Sequence, residues 1–276
     1  MGRTTRTEKG CEPMRHFTIH HDGVAIAVSR GGRGRPLVLC PGLDTTRAEL
    51  GELVGLLRRD HDVVAFDLRG HGLSPAAGRY TFEAFLGDLS AVMARTRRPG
   101  TAPLLVGYSL GADLAVHYAS EHPDGVAGLV LIDGANPVPE PFVTEDLLPL
   151  FRAMWEDAAA RRAADLGTDR QVLLTGREIL DLNIEVDAVR ARILDRYRRI
   201  VPPVTVIASA SLSGGGAGAH GERLDRNWRA GIDRLVRELP RVAVTRLDAD
   251  HRMPFTHAAE IARIIRGAHG GPATTA

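Results

Sequence analysis

A serine between two glycines, in Gly107-Tyr108-Ser109-Leu110-Gly111, is the side chain best placed by its neighbours to act as a nucleophile. The pentapeptide fits Gly-x-Ser-x-Gly. The apolar run 104–108 ends on it, and the helix-like stretch 112–122 follows it. A turn this tight between strand and helix lifts the hydroxyl above the sheet edge and leaves no room for bulk at the flanking positions. It also aims the helix N-terminus at the reacting atoms. Five residues alone recur by chance, so the strand-to-helix context and suitable partners are what give the pattern meaning. A serine hydroxyl is a poor nucleophile until a base removes its proton, and the base in turn needs an orienting carboxylate.

Those partners have to be positioned by the rest of the chain, which alternates strand-like and helix-like segments. Residues 17–21 and 24–29 flank Asp22-Gly23, a good hairpin turn. Residues 36–40, 63–67, 104–108, 126–133, 204–209 and 242–247 read as further strands. Helices are expected at 47–58, 82–95, 112–122, 223–239 and 258–267. The pattern predicts an α/β fold with a mostly parallel eight-stranded sheet and helices on both faces. Residues 209–221, rich in Gly, Ala and Ser, are expected to form a mobile loop.

Between Asp133 and Val201 the strand–helix rhythm breaks, and residues 136–200 read as a helical insertion. Leu147, Leu150, Phe151, Met154 and Trp155 are spaced to share one helix face. An insertion leaving the sheet at the C-terminal end of a strand sits where α/β folds bind ligands, so it can act as a lid. With Phe142, this stripe offers enough apolar area to line a pocket for medium or large acyl groups. Phe151, Met154, Trp155 and Tyr108 are the candidate substrate contacts. The alternative, in which the stripe packs the insertion onto the body, stays open.

Composition sets wider bounds. A chain of 276 residues with 44% hydrophobic and 25% charged residues can bury a large single core. A net charge of +1 gives no reason to expect nucleic acid or an acidic membrane as partner. Two cysteines, Cys11 and Cys40, cannot make a disulfide framework, which fits a reducing, cytoplasmic setting. Residues 1–14 are polar and are expected to be a disordered extension, with Met14 a second candidate start. Residues 271–276 are expected to be a disordered tail.

Three stretches together resemble the α/β-hydrolase superfamily: Cys40-Pro41-Gly42-Leu43 after the third strand, Asp67-Leu68-Arg69-Gly70-His71-Gly72-Leu73-Ser74 after the fourth, and the Ser109 elbow. The likeness spans about residues 15–267. It implies a hydrolase core from 15–135 and 201–270, with 136–200 as the cap. It does not imply a substrate, because the scaffold hosts many chemistries.

In this family the chain order is serine, then acid, then histidine. His251, in Leu247-Asp248-Ala249-Asp250-His251 after the last strand, stands where the resemblance puts the histidine. His71, His122 and His220 have plainer settings in a turn, a helix end and a glycine-rich loop. The acid departs from the commonest pattern, because the strand 204–209 runs into Ser209-Ala210-Ser211-Leu212-Ser213-Gly214 with no carboxylate before Glu222 and Asp225. A different branch, seen in some dehalogenases and polyketide thioesterase domains, takes its acid from the preceding strand end, here Asp133. Asp133 is the first candidate. Glu222 and Asp225 are second. Asp248 and Asp250 are last, being too near His251 along the chain to reach back to its ring.

The resemblance also supplies two backbone donors for a developing oxyanion. One is the Leu110 N–H, after the nucleophile. The other is the Leu43 N–H, after Pro41-Gly42, which replaces the family's usual His-Gly and so loses a side chain but no donor. Cys40 reads as a small apolar strand residue rather than a redox group. Asp67 and Arg69 are expected to tie down their own turn.

These residues imply a serine hydrolase of the carboxylic-ester type, cleaving a small-molecule ester, lactone or thioester through an acyl-enzyme, with no metal or organic cofactor. It is expected to act as a monomer or homodimer. Ser109 excludes the aspartate nucleophile of dehalogenases and epoxide hydrolases. The alternatives are a thioesterase, C–C hydrolase or cyclase acting on a specialised metabolite, or a non-hydrolytic ligand-binding member of the fold.

Overall fold

The computed structural model describes residues 13–214 and 218–269. Eight strands form one sheet in the order β1-β2-β4-β3-β5-β6-β7-β8. They are β1 (Arg15–His21), β2 (Val24–Gly32), β3 (Arg35–Cys40), β4 (His61–Phe66), β5 (Leu104–Tyr108), β6 (Gly128–Ile132), β7 (Val204–Ser209) and β8 (Ala243–Leu247). β1–β2 and β2–β4 pair antiparallel, and every other pair is parallel. The central strands β4, β5 and β6 are buried at every residue. That is why β5, β6 and residues 63–66 of β4 read as apolar runs, since a parallel strand covered on both faces has no polar side.

The pleat divides those runs between two layers. Leu37, Leu39, Val106 and Val130 face helices α1 (Gly51–Leu57) and α9 (Ala258–His269), the second preceded by the short α8 (Met253–Thr256), through Leu53, Leu57, Ile261 and Ile265. Val38, Val64, Leu105 and Leu129 face α2 (Phe82–Thr96), α3 (Leu110–Glu121) and α7 (Gly218–Glu238). From β3 the chain moves to β4 on one side and then back to β5 on the other. The carboxyl ends of β3 and β5 therefore flank the point where strand order reverses, the crevice in which such sheets bind ligands. The Leu43 loop and Ser109 both lie there.

Between β6 and β7 come α4 (Leu148–Arg162), a single tight turn (Ala163–Asp165), α5 (Gly176–Arg190) and α6 (Ile193–Arg199), with no strand among the described residues. Thr175 and Glu178 start α5 with a reciprocal capping box. The insertion is fastened to the core at several points. Leu173 N–H donates to the Gly70 carbonyl and Gly72 N–H to the Gln171 carbonyl, each at 2.8 Å. Arg190 of α5 grips Asp113 of α3 with two bonds of 2.9 and 2.7 Å, both groups largely out of water.

Several expectations need correcting. The α4 stripe does not act as one face. Leu147 is buried, and Phe151 and Trp155 are half-buried, but Leu150 and Met154 are 49% and 42% exposed. Met154 therefore packs less closely onto the body than Phe151 and Trp155. Phe151 packs with Val138, Phe142 and Trp228, whereas Trp155 packs on the main core. The loop expected over 209–221 is shorter, because α7 begins at Gly218. Asp225 draws in the N–H groups of Leu212 and Ser213 and the hydroxyls of Ser211 and Ser213, closing that segment into a turn. The extension and tail expected at the termini lie outside the described residues, except that Met14 already packs against the core beside Gly31. No helix among the described residues is long and apolar enough to cross a membrane.

Candidate active site

Ser109 stands at the turn between β5 and α3 with φ of 52°, a left-handed backbone that a residue with a side chain rarely adopts. Close packing holds it there. A Cβ on Gly107 would lie 2.2 Å from the Gly111 carbonyl oxygen, and one on Gly111 2.3 Å from that of Cys40. The two small residues around the serine are thus a steric requirement of the elbow. Leu110 is the first residue of α3, so its N–H has no partner within the helix and points out of the N-terminus. The Pro41-Gly42-Leu43 loop lies against the serine, since a Cβ on Gly42 would meet the Ser109 Cβ at 2.9 Å. The loop that carries Leu43 and the first residue of α3, Leu110, therefore both lie next to Ser109.

His251 follows β8 and is carried next to the elbow. Its Nε2 lies 3.0 Å from Ser109 Oγ and its Nδ1 2.7 Å from Asp133 Oδ2. Asp133 closes β6 with φ of 46° and is almost wholly buried. The Asp133 N–H donates to the Ile207 carbonyl at 2.8 Å, fixing the strand end. Its Oδ1 accepts the Ser209 N–H at 2.8 Å and the Trp228 indole N–H at 3.1 Å. The carboxylate thus has one oxygen held by two donors and the other free for the imidazole. That arrangement keeps Nδ1 protonated and leaves the Nε2 lone pair facing the serine hydroxyl.

The other carboxylates stand elsewhere. Asp225 is occupied in its turn, Glu222 is exposed beside Arg226, Asp248 is exposed, and Asp250 accepts the Arg252 N–H. Tyr108, named as a substrate contact, is moved by the structure to a supporting place. Its ring is buried in the α1–α9 layer, and its hydroxyl donates to the His251 carbonyl at 2.9 Å. Burial pushes its phenol up, with the Asp133 charge adding to the rise, so it remains a donor. Burial likewise pushes the Cys40 thiol up, which leaves it an inert core group. Asp67 holds the N–H groups of Arg47 and Leu73, and Arg69 forks onto Asp88 at 2.7 and 2.8 Å, so both tie turns together. Among the described residues, no three His, Cys, Asp or Glu side chains converge as metal ligands would.

Trp228 was not foreseen from the sequence. The spacing of Trp228, Ile232 and Leu235 puts it on the inward face of α7, but nothing local says that its N–H meets Asp133. Arg162 at the end of α4 was also missed. It reaches the loop after β3 and bonds Asp44 and Glu49. A cleft of about 400 Å³ opens between the insertion and α7, lined by Val138, Val143, Ile184, Asp187 and Arg234. Neither Ser109, His251 nor Asp133 lines it.

Comparison with known proteins agrees with the fold. The family described as "alpha/beta hydrolase fold" matches residues 35–241, well over half of the chain and ending before His251. Lipase LipV of Mycobacterium tuberculosis is 43% identical over 74 residues, a stretch that spans 26% of this chain and only 27% of that protein. The 2-(acetamidomethylene)succinate hydrolase of Mesorhizobium japonicum is 29% identical over 190 residues, covering 68% of this chain and 64% of the relative. Among solved structures, the thioesterase domain from the curacin biosynthetic pathway superposes with a TM-score of 0.64 at 20% identity, over 93% of this chain and all of that one. With the strand order, the switch-point serine and the extent of the family match in agreement, the chain belongs to the α/β-hydrolase fold family.

Proposed function

We propose that this protein is a serine hydrolase that cleaves a carboxylic ester, lactone or thioester through an acyl-enzyme. The observation that carries the reading is the relay from Ser109 Oγ through His251 to Asp133, with gaps of 3.0 and 2.7 Å. His251 Nε2 takes the hydroxyl proton as Ser109 Oγ bonds to the acyl carbon. The carbonyl oxygen becomes an oxyanion and accepts from the Leu43 and Leu110 N–H groups, while Asp133 balances the imidazolium. Collapse breaks the bond to the alcohol or thiol, which leaves with the proton from His251. A water then gives its proton to His251 and attacks the acyl carbon, and collapse of the second intermediate restores Ser109 Oγ–H.

A non-hydrolytic binding protein would not need a buried, doubly held carboxylate behind the histidine. The relay therefore supports the hydrolytic reading. Labelling with a fluorophosphonate, followed by a panel of acyl esters, lactones and acyl thioesters, tests it. Covalent labelling at Ser109 and a fall in kcat of several orders of magnitude in Ser109→Ala are expected. Near wild-type turnover in a pure Ser109→Ala sample would end the reading. The panel ranks esterase against thioesterase or lactonase action. An esterase matches the partial likeness to a lipase, and a thioesterase matches the shared fold of the curacin domain.

A further inference from the structure

We propose that Arg162, at the end of cap helix α4, is a positioning residue for the Leu43 oxyanion donor, so that the seating of the cap sets the geometry of the oxyanion hole. The proposal rests on the serine-hydrolase reading above and extends it to a residue 118 positions along the chain from the loop it grips.

The loop from Pro41 to Thr46 has to hold one N–H at a fixed point above Ser109, yet it belongs to neither β3 nor α1. Gly42 fixes its near end by contact with the serine. Beyond Leu43 the backbone turns at Asp44 with φ of 58°. Arg162 closes this turn from outside. Its Nη2 donates to the Asp44 carbonyl at 2.5 Å, its Nε to Asp44 Oδ1 at 3.0 Å and its Nη1 to Glu49 Oε1 at 2.8 Å. The other Glu49 oxygen accepts the Thr46 N–H at 2.8 Å. One planar guanidinium thus joins the carbonyl of the residue after the donor, that turn residue's own carboxylate and the anchor of the following turn. A fork with fixed geometry can do this and a point charge cannot.

Charge gives the contact its weight. Arg162, Asp44 and Glu49 are each mostly shielded from water. Burial pushes the Asp44 carboxyl up, Arg162 draws it back down, and Glu49 adds to the rise. Without the guanidinium, two half-buried carboxylates would face each other across the turn and drive it open. A donor that acts on the oxyanion and not on the ground-state substrate should register in kcat and not in KM.

The test uses the full chain, an activated acyl ester, and a trifluoromethyl ketone of the same acyl group as a mimic of the tetrahedral oxyanion. Arg162→Gln should lower kcat about 10- to 100-fold, less than outright loss of a donor, with KM within about twofold. The ketone should bind more weakly by a matching factor. Arg162→Lys should fall between Arg162→Gln and wild type. Asp44→Asn, which keeps the carbonyl acceptor and suits the left-handed turn, should lose no more than about fivefold. If Arg162→Gln does not fold, the order of the other two variants decides. Unchanged kcat and ketone affinity in the Arg162 variants, or a loss confined to KM, would overturn the proposal while Ser109→Ala stays dead. Persisting turnover in Ser109→Ala would instead remove the serine-hydrolase reading beneath it.

Discussion

The Trp228 indole N–H donates to Asp133 Oδ1 at 3.1 Å, which puts a residue of α7 in direct support of the carboxylate that orients His251. Trp228→Phe keeps an aromatic ring against Phe142 and Val138 but leaves Asp133 Oδ1 with the Ser209 N–H alone. A hydrogen bond to a buried charge contributes roughly 1.5–3 kcal/mol. The expected result is a fall in kcat of about tenfold with KM little changed, read by steady-state kinetics. An unchanged kcat would make Trp228 a packing residue only.

Substitution of the carboxylates should rank them. Asp133→Asn should cut kcat by about 10⁴, since the amide favours the wrong imidazole tautomer. Glu222→Gln, at an exposed position, should leave kcat within about twofold of wild type by the general behaviour of surface sites. Asp225→Asn should lower Tm, because Asp225 holds Leu212 and Ser213 in their turn, and should cost kcat far less than Asp133→Asn. The reverse ranking would transfer the acid to the first turns of α7.

The divided stripe of α4 gives a contrast between neighbours. Met154→Ala should leave kcat/KM across an acyl-chain series unchanged, because Met154 is 42% exposed. Trp155→Ala and Phe151→Ala should shift the series toward shorter acyl groups if the cap lines the pocket. A lowered Tm with an unchanged chain-length profile would assign both rings to packing.

His71 predicts a pH dependence of stability. Burial holds its imidazole down to about 4, and its Nδ1–H donates to the Arg69 carbonyl. Below the ordinary histidine value of 6.5 the unfolded chain takes up a proton that the folded chain refuses, so this contribution is full above about 6.5 and is lost as pH falls toward 4. The loss for a fully buried imidazole is on the order of 3 kcal/mol. Denaturant unfolding across this range should show a decline that His71→Gln makes shallower. An equal slope in the variant would assign the decline to other groups, His117 first, which burial also holds at about 4.

The strands, the helices on both faces and the tight serine turn were legible in the sequence because each depends on local spacing. β5, β6 and residues 63–66 of β4 are apolar since both of their faces are covered, and Gly107 and Gly111 mark where backbone meets backbone. Which carboxylate stands beside His251 was not local. Asp133, Glu222 and Asp225 are all plausible by type and order, and only the pairing of β6 with β7 and the seating of α7 bring Asp133 Oδ2 to 2.7 Å. The same holds for Trp228 and Arg162, whose partners lie 95 and 118 residues away. It holds as well for α4, where helical spacing grouped Leu150, Phe151, Met154 and Trp155 but could not say which of them would meet another surface. Periodicity fixes which side chains share a face. What that face touches, and which donor reaches which acceptor, is set by elements far apart in the chain and so is decided only when they pack.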